Sequence, residues 1–246
     1  MPAPVVDILM YHSISDAVGP TSISPDTFRM QMAAIAAAGV PVITLDQLVA
    51  ARDLAPYSII LTFDDGFQDF ADMAWPVMQG HGFRPIVYLP TAHVGRREDW
   101  AGGHPAPRLL MGWPLIGKLA QEGVQFGSHS VSHPNLDMLE PDVLEAELMR
   151  SRAEMERRLG RRVVHFAPPY GAAGPAVRKR IAAHYKTSVS VVLDRAAVGG
   201  DLFHLPRLEM FYYTDAGHWR RHLAGRGGAY LLARQTLRRV RQALHA

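Results

Sequence analysis

Apolar residues fall along this chain in short runs, separated by longer stretches in which they recur every three or four positions. The runs at 5–10, 58–63, 85–89, 124–128, 163–167 and 187–193 read as buried strands. Between them the spacing becomes helical. Residues 26–38 follow Ser24-Pro25, a capping serine and a first-turn proline, and residues 70–81 stop at Gly82. Helices are also expected over 113–122 and 141–159, the latter with Leu144, Leu148, Met155 and Leu159 on one side. Strand and helix alternating this often imply a parallel sheet or barrel, with active-site residues on the loops after the strands. Residues 91–112, rich in Gly, Pro, His and Arg, are too long for a bare connection and read as a substrate-facing loop.

Composition narrows the picture. At 246 residues and 48% hydrophobic, the chain can bury the core of one β/α barrel, so a single catalytic domain over 1–246 is expected. The net charge of +3 is unevenly spread. Seven arginines and no acid lie from Trp219 onward, which leaves 19 bases against 23 acids before it. Cysteine is absent, so a metal ion would have to be held by His and carboxylate. The first ten residues do not resemble a secretory leader, and no run is long enough to span a bilayer. A cytoplasmic location is expected, with the inner face of the membrane as its variant.

Candidate chemistry lies at strand ends. The run 58–63 leads into Asp64-Asp65-Gly66, where the glycine permits a sharp turn that aims two carboxylates at one cavity. One can bind an ion while the other accepts a proton; an ordinary Asp-Gly turn is the alternative. His129 and His133 follow the run 124–128 in a turn-like segment. Imidazoles so spaced can face one ion, and with Asp65 they make a three-ligand set with an open position. Third comes Phe166-Ala167-Pro168-Pro169-Tyr170-Gly171. Its Pro169 and neighbours fix the backbone, so that the Tyr170 amide could face an oxyanion while its phenol lines the pocket.

These three motifs, in this order, resemble those of the polysaccharide deacetylases of carbohydrate esterase family 4, over residues 8–207. The resemblance implies a deformed (β/α)7 barrel and hydrolysis of an N-acetyl group on an amino sugar. It implies Asp64 as base, Asp65, His129 and His133 as metal ligands, and the Tyr170 amide as oxyanion donor. Zinc is the first choice on ligand type, with cobalt, nickel or manganese also accepted by such a set. Two family features are missing. The third motif commonly carries an arginine that orients the base, and here Ala167 stands there; Arg207, following a short strand, is the candidate replacement. The late Leu-x-His motif that supplies the general acid is not evident. His12, in Met10-Tyr11-His12-Ser13, resembles the start of the poly-N-acetylglucosamine deacetylase branch and takes that role, with His165 and His204 as weaker candidates.

Substrate and partners are less legible. Trp100, Trp113, Tyr170, Phe211, Tyr212 and Tyr213 are candidate platforms for sugar faces, or core. A helix over about 229–246 carries an apolar stripe of Ala233, Leu237, Val240 and Leu244 beside an arginine stripe of Arg234, Arg238 and Arg241. It either docks its apolar side on the barrel with solvated arginines outside, or lies on anionic lipid, in which case a lipid-linked sugar becomes the attractive substrate. The partner expected is an N-acetylated carbohydrate. No protein partner can be inferred, and no nucleic-acid motif accompanies the arginines. A hydrolase of non-sugar C–N bonds and a silent carbohydrate-binding relative are the competing readings.

Overall fold

The computed structural model describes residues 3–244 except Ala101, with only the backbone over 241–244. Residues 1–2 and 245–246, the ends of the single domain expected from the sequence, lie outside the described residues. Among the described residues eight strands form: β1 Val5–Tyr11, β2 Tyr57–Phe63, β3 Ile86–Leu89, β4 Gln125–Ser128, β5 His165–Phe166, β6 Thr187–Leu193, β7 Ala196–Ala197 and β8 Leu205–Glu209. Seven of them pair in parallel in the order β1-β2-β3-β4-β5-β6-β8 and close β8 back on β1, while β7 lies antiparallel along the start of β1. This is a (β/α)7 barrel. Helices α1 Pro25–Ala38, α3 Trp75–Gly80, α4 Trp113–Glu122, α5 Pro141–Leu159, α6 Pro175–His184 and α7 Ala216–Arg221 contribute to its outer layer.

Two-residue periodicity explains why the strand runs are almost wholly apolar. Leu9, Tyr11, Leu61, Phe63, Val87 and Leu89 point outward into a core shared with Phe28, Met32, Ile35, Phe70, Met78, Ile116 and Leu148. Val6, Ile8, Ile60, Ile86, Tyr88 and Leu205 fill the inside, closed below by Leu45 and Leu48 of a short helix, α2 Leu45–Ala50. Gly127 makes room there, since a Cβ would sit 2.6 Å from the Tyr88 ring. The same alternation aims Ile60, Thr62 and Asp64 successively inward along β2, and Leu205 and Arg207 along β8.

Four local departures have physical causes. Residues 70–74 form a wide π turn before α3, because Pro76 cannot continue the i→i−4 ladder and the Trp75 amide bonds Phe70 five residues back. The run 163–167 contributes only two residues to the sheet as the Pro-Pro segment begins. Arg207 lies within β8 rather than after a strand. The fourth concerns helix α8, Gly228–Leu244, whose orientation is the reverse of the docking expected. Its arginine stripe faces the barrel: Arg238 reaches Glu209 at 3.3 Å, and Arg234 lies over the Tyr212 and Tyr230 rings with its Nε donating to the Tyr230 hydroxyl. Gln235 donates to the Leu193 carbonyl, and Leu231 is the buried apolar anchor. Partners for guanidinium on the barrel outweigh burial of the aliphatic stripe, so Ala233, Leu237 and Val240 face outward. The Arg241 and Leu244 side chains lie outside the described residues.

A buried charge cluster ties the ends of the chain together. Asp7 of β1, fully buried, accepts from the Tyr57 hydroxyl, Arg195 Nε and His222 Nε2, each at 2.7 Å. Burial pushes its carboxyl up, but His222 and Arg195 outweigh this and hold it below the ordinary value.

Candidate active site

The loops at the carboxyl ends of the strands enclose a cavity of about 290 Å3. After β2 the chain turns through two consecutive left-handed residues, Asp65 (φ 70°) and Gly66 (φ 72°). A side chain at 66 would overlap Leu89 Cδ2, so the turn requires its glycine, whereas Asp tolerates the left-handed position better than most residues. Asp64 keeps its inward strand orientation, its amide bonded to the Tyr11 carbonyl at 2.9 Å. After β4, Ser130 (φ 68°) and His133 (φ 57°) are also left-handed, and the Ser130 hydroxyl accepts from the His133 amide at 3.1 Å. Glu147 of α5 clamps this turn by accepting from the Val131 and Ser132 amides and the Ser132 hydroxyl.

This geometry brings Asp65, His129 and His133 together, all buried, with their ligand atoms within 4.8 Å of one another. Asp65 Oδ1 lies 3.4 Å from Nε2 of each histidine and has no hydrogen-bond partner among the described residues. Such an orphaned buried carboxylate oxygen, facing two imidazole nitrogens, fits a divalent cation with further positions open. His129 Nδ1 donates to the Ala167 carbonyl at 2.6 Å, which fixes the tautomer and turns Nε2 toward Asp65. Burial raises the Asp65 carboxyl, but His129, His133 and His12 bring it well below the usual range. Burial lowers both ligand imidazoles; His133 stays low, while Asp65 and Asp64 lift His129 above its ordinary value.

Asp64 is a different kind of carboxylate. Arg207 grips it in a two-pronged pair, Nη1 to Oδ1 and Nη2 to Oδ2 at 2.7 Å each. The guanidinium is in turn fixed by the Thr62 hydroxyl at 3.1 Å and the Ser190 carbonyl at 2.9 Å. Burial alone would raise Asp64, and the Arg207 charge and hydrogen bonds reverse the sign. His12 Nε2 stands 3.9 Å from Asp64 Oδ2 and lines the cavity. Its turn is held by Asp69, which accepts from the Ser13 hydroxyl and the Ile14 amide.

Tyr170 (φ 58°) and Gly171 (φ 69°) form the wall after β5, where a Cβ on residue 171 would overlap Val191. Tyr170 lines the cavity and meets the His133 ring edge-on at 4.8 Å. Pro168, not Pro169, borders the cavity; Pro169 is buried in the turn. Of the aromatic candidates only Trp100 joins Tyr170 there, stacked on His133 at 4.4 Å. Tyr213 is core, Trp113 and Tyr212 pack against it, and Phe211 lies outside the cavity. His165 is buried away from the cavity against Thr187 and Asp46, and His204 does not reach it.

Sequence reasoning did not single out the rest of the lining. Glu98, nearly inaccessible, is bound by Arg108 Nε and Nη2, and Arg108 also reaches Ser22 and lies 4.1 Å over Phe67. Glu209 and Arg238 complete the rim. Residues ten apart in an aperiodic loop, or 29 apart on a strand and the terminal helix, leave no spacing signal.

The profile of one protein family, polysaccharide deacetylase, matches residues 51–188. Among curated proteins, YxkH of Bacillus subtilis is 24% identical over 168 residues, 67% of this chain and 56% of that protein. The chain thus spans little more than half the length of that relative. Among solved structures, the Streptococcus pyogenes deacetylase PplD, in complex with acetate, superposes with a TM-score of 0.73 at 24% identity, over 84% of this chain and 92% of that one. IcaB from Ammonifex degensii gives 0.73 at 20% identity, over 91% and 97%. These likenesses establish the barrel.

Proposed function

Because the chain belongs to the polysaccharide deacetylase family, we propose that it hydrolyses the N-acetyl group of an amino sugar, releasing acetate. The sugar is part of a polysaccharide, an oligosaccharide or a lipid-linked carrier. The observation that carries this reading is the division between two adjacent buried carboxylates, Asp65 facing His129 and His133, and Asp64 gripped by Arg207.

Asp65, His129 and His133 would hold a divalent ion, zinc first on this donor set, and such an ion supplies Lewis acidity to water and to the amide oxygen. The protein's own groups do the rest. Asp64, kept ionised and aimed by Arg207, takes the proton that water gives up as it adds to the amide carbon; each carboxylate oxygen still has a lone pair beyond its bond to arginine. Trp100 and Tyr170 narrow the cavity around that carbon and limit the entry of bulk water. The Tyr170 amide, held by its strained turn, donates to the developing oxyanion, a contribution of about 3 kcal/mol in comparable sites. His12 delivers a proton to the nitrogen as the C–N bond breaks, which leaves acetate and a free amine.

An acetate-release assay on N-acetylated oligosaccharides and lipid-linked N-acetyl sugars, with metal stripped and restored, tests this reading. Loss of activity on stripping, recovery on restoration, and inactivity of Asp64→Asn and His12→Ala are expected. An opened non-sugar amide as the only product would overturn the substrate class. Sugar binding with no turnover in any metal would overturn the hydrolase.

A further inference from the structure

The outward side of α8 is built like a contact surface. Leu232, Leu237 and Val240 are 62%, 61% and 53% exposed, and Ala229 and Ala233 continue their row. Arg239 is exposed beside it, Arg220, Arg221 and Arg226 are exposed on the segment that leads into the helix, and among the described residues none of the four has a carboxylate partner. No acid occurs from Trp219 to the end of the chain. The two arginines that could have been spent on solvent, Arg234 and Arg238, instead hold the helix to the barrel. The aliphatic row is therefore outward because of specific contacts on the opposite side.

We infer that this face of α8 docks on an anionic lipid surface. A convex row of aliphatic side chains with a cationic rim offers no shape-matched pocket to a protein. It matches a headgroup layer, which accepts apolar side chains to the acyl boundary while phosphates meet the guanidinium groups. The apolar row argues against nucleic acid, which would draw on the charge alone. The active site is close by. Arg238 lines the catalytic cavity and also a groove shared with Arg239, so the rim of the cavity lies about one helix diameter, roughly 10 Å, from the docked face. A substrate presented at a membrane would meet the cavity without leaving the surface, a consequence that rests on the deacetylase reading; the docking itself does not.

Flotation of the full chain with phosphatidylcholine vesicles, with and without phosphatidylglycerol, reads the docking with no substrate present. Binding is expected only to the anionic vesicles and is expected to weaken as salt rises. Leu237→Glu/Val240→Glu is expected to lower it at least about tenfold. Arg220→Gln/Arg221→Gln is expected to lower it about 25-fold, roughly fivefold per cation. Helical content and acetate release from a short soluble substrate should stay unchanged in both variants, because none of these residues touches the site. Equal binding to neutral vesicles, no binding, or unchanged binding in both variants would overturn the inference. So would a concentration-dependent dimer, seen by light scattering, that Leu237→Glu/Val240→Glu dissolves, since the face would then be covered by a second copy of the chain.

Discussion

Replacing Arg207 by methionine removes the guanidinium that grips Asp64 while roughly keeping the buried volume. Four hydrogen bonds go with it, two of them the paired 2.7 Å contacts, from a side chain that is 1% exposed. What remains is a carboxylate just as buried that has lost the main offset to its desolvation, a situation that costs about 3–5 kcal/mol. For a chain of this length that is a fall in Tm of roughly 6–20 °C. The informative measurement is a double-mutant cycle by urea denaturation in the presence of chelator, comparing Arg207→Met, Asp64→Asn and the double variant. Because the two groups are each other's main partner, the double variant should be more stable than the sum of the singles by about 1–3 kcal/mol. Arg207→Lys keeps the charge but not the fork, so it should recover much of the stability and little of kcat. Additive single effects to within about 0.5 kcal/mol, or full kcat in Arg207→Lys, would refute the view that paired geometry holds the base.

Three further outcomes are expected. Saturating zinc should raise Tm in the native chain, by about 2.7 kcal/mol of added stability at 100 times Kd, and Asp65→Asn should abolish that shift in a thermal melt. Gly171→Ala forces a Cβ onto Val191 at a left-handed position, so it should cost about 2–4 kcal/mol by denaturant titration and depress kcat, with Val191→Ala in the same chain recovering part of the loss. Asp7 has a folded pKa below its unfolded value of about 3.9, so its contribution is fully present above the unfolded pKa and is lost as pH falls through the folded one. Asp7→Asn should therefore destabilise the protein by about 1.5–3 kcal/mol at pH 7, and the gap to the native chain should narrow steadily under acid titration followed by circular dichroism.

Elements closed by their own local chemistry were legible in the sequence. Helices α4 and α5 have a proline in the first turn and a left-handed glycine, Gly123 and Gly160, at the end, and both match the expected spans. Strand β6, rich in valine and bounded as expected at 187–193, does as well. Helix α2 was overlooked although Thr44 and Gln47 form a capping box, because six residues carry too little periodicity. Among site residues, Asp64, Asp65, His129 and His133 stand out as adjacent or turn-spaced groups at strand ends. Glu98 with Arg108 and Glu209 with Arg238 do not, since the first pair forms inside an aperiodic loop and the second only once α8 docks on β8. The orientation of α8 failed for the same reason. Two stripes can be read from periodicity, but which one faces inward is decided by Glu209 and Tyr212, whose positions no helical wheel contains.

The cation that grips Asp64 is part of the barrel wall. Arg207 stands on β8 and is braced by Thr62 of β2 and Ser190 of β6, three strands whose positions are fixed by the hydrogen-bonded ring. The 91–112 segment, by contrast, borders the cavity through Glu98, Trp100, Gly102 and Arg108, with Trp100 stacked over His133. The grip on Asp64 and the narrowing of the cavity thereby come from different parts of the chain. On the proposed deacetylase reading, the middle of that segment, between the Ala92 and Met111 amides that bond the Val131 and Gly66 carbonyls, is a natural cassette for grafting: it can be exchanged for a loop of different shape to redirect which sugars enter, while Arg207 keeps its grip on Asp64.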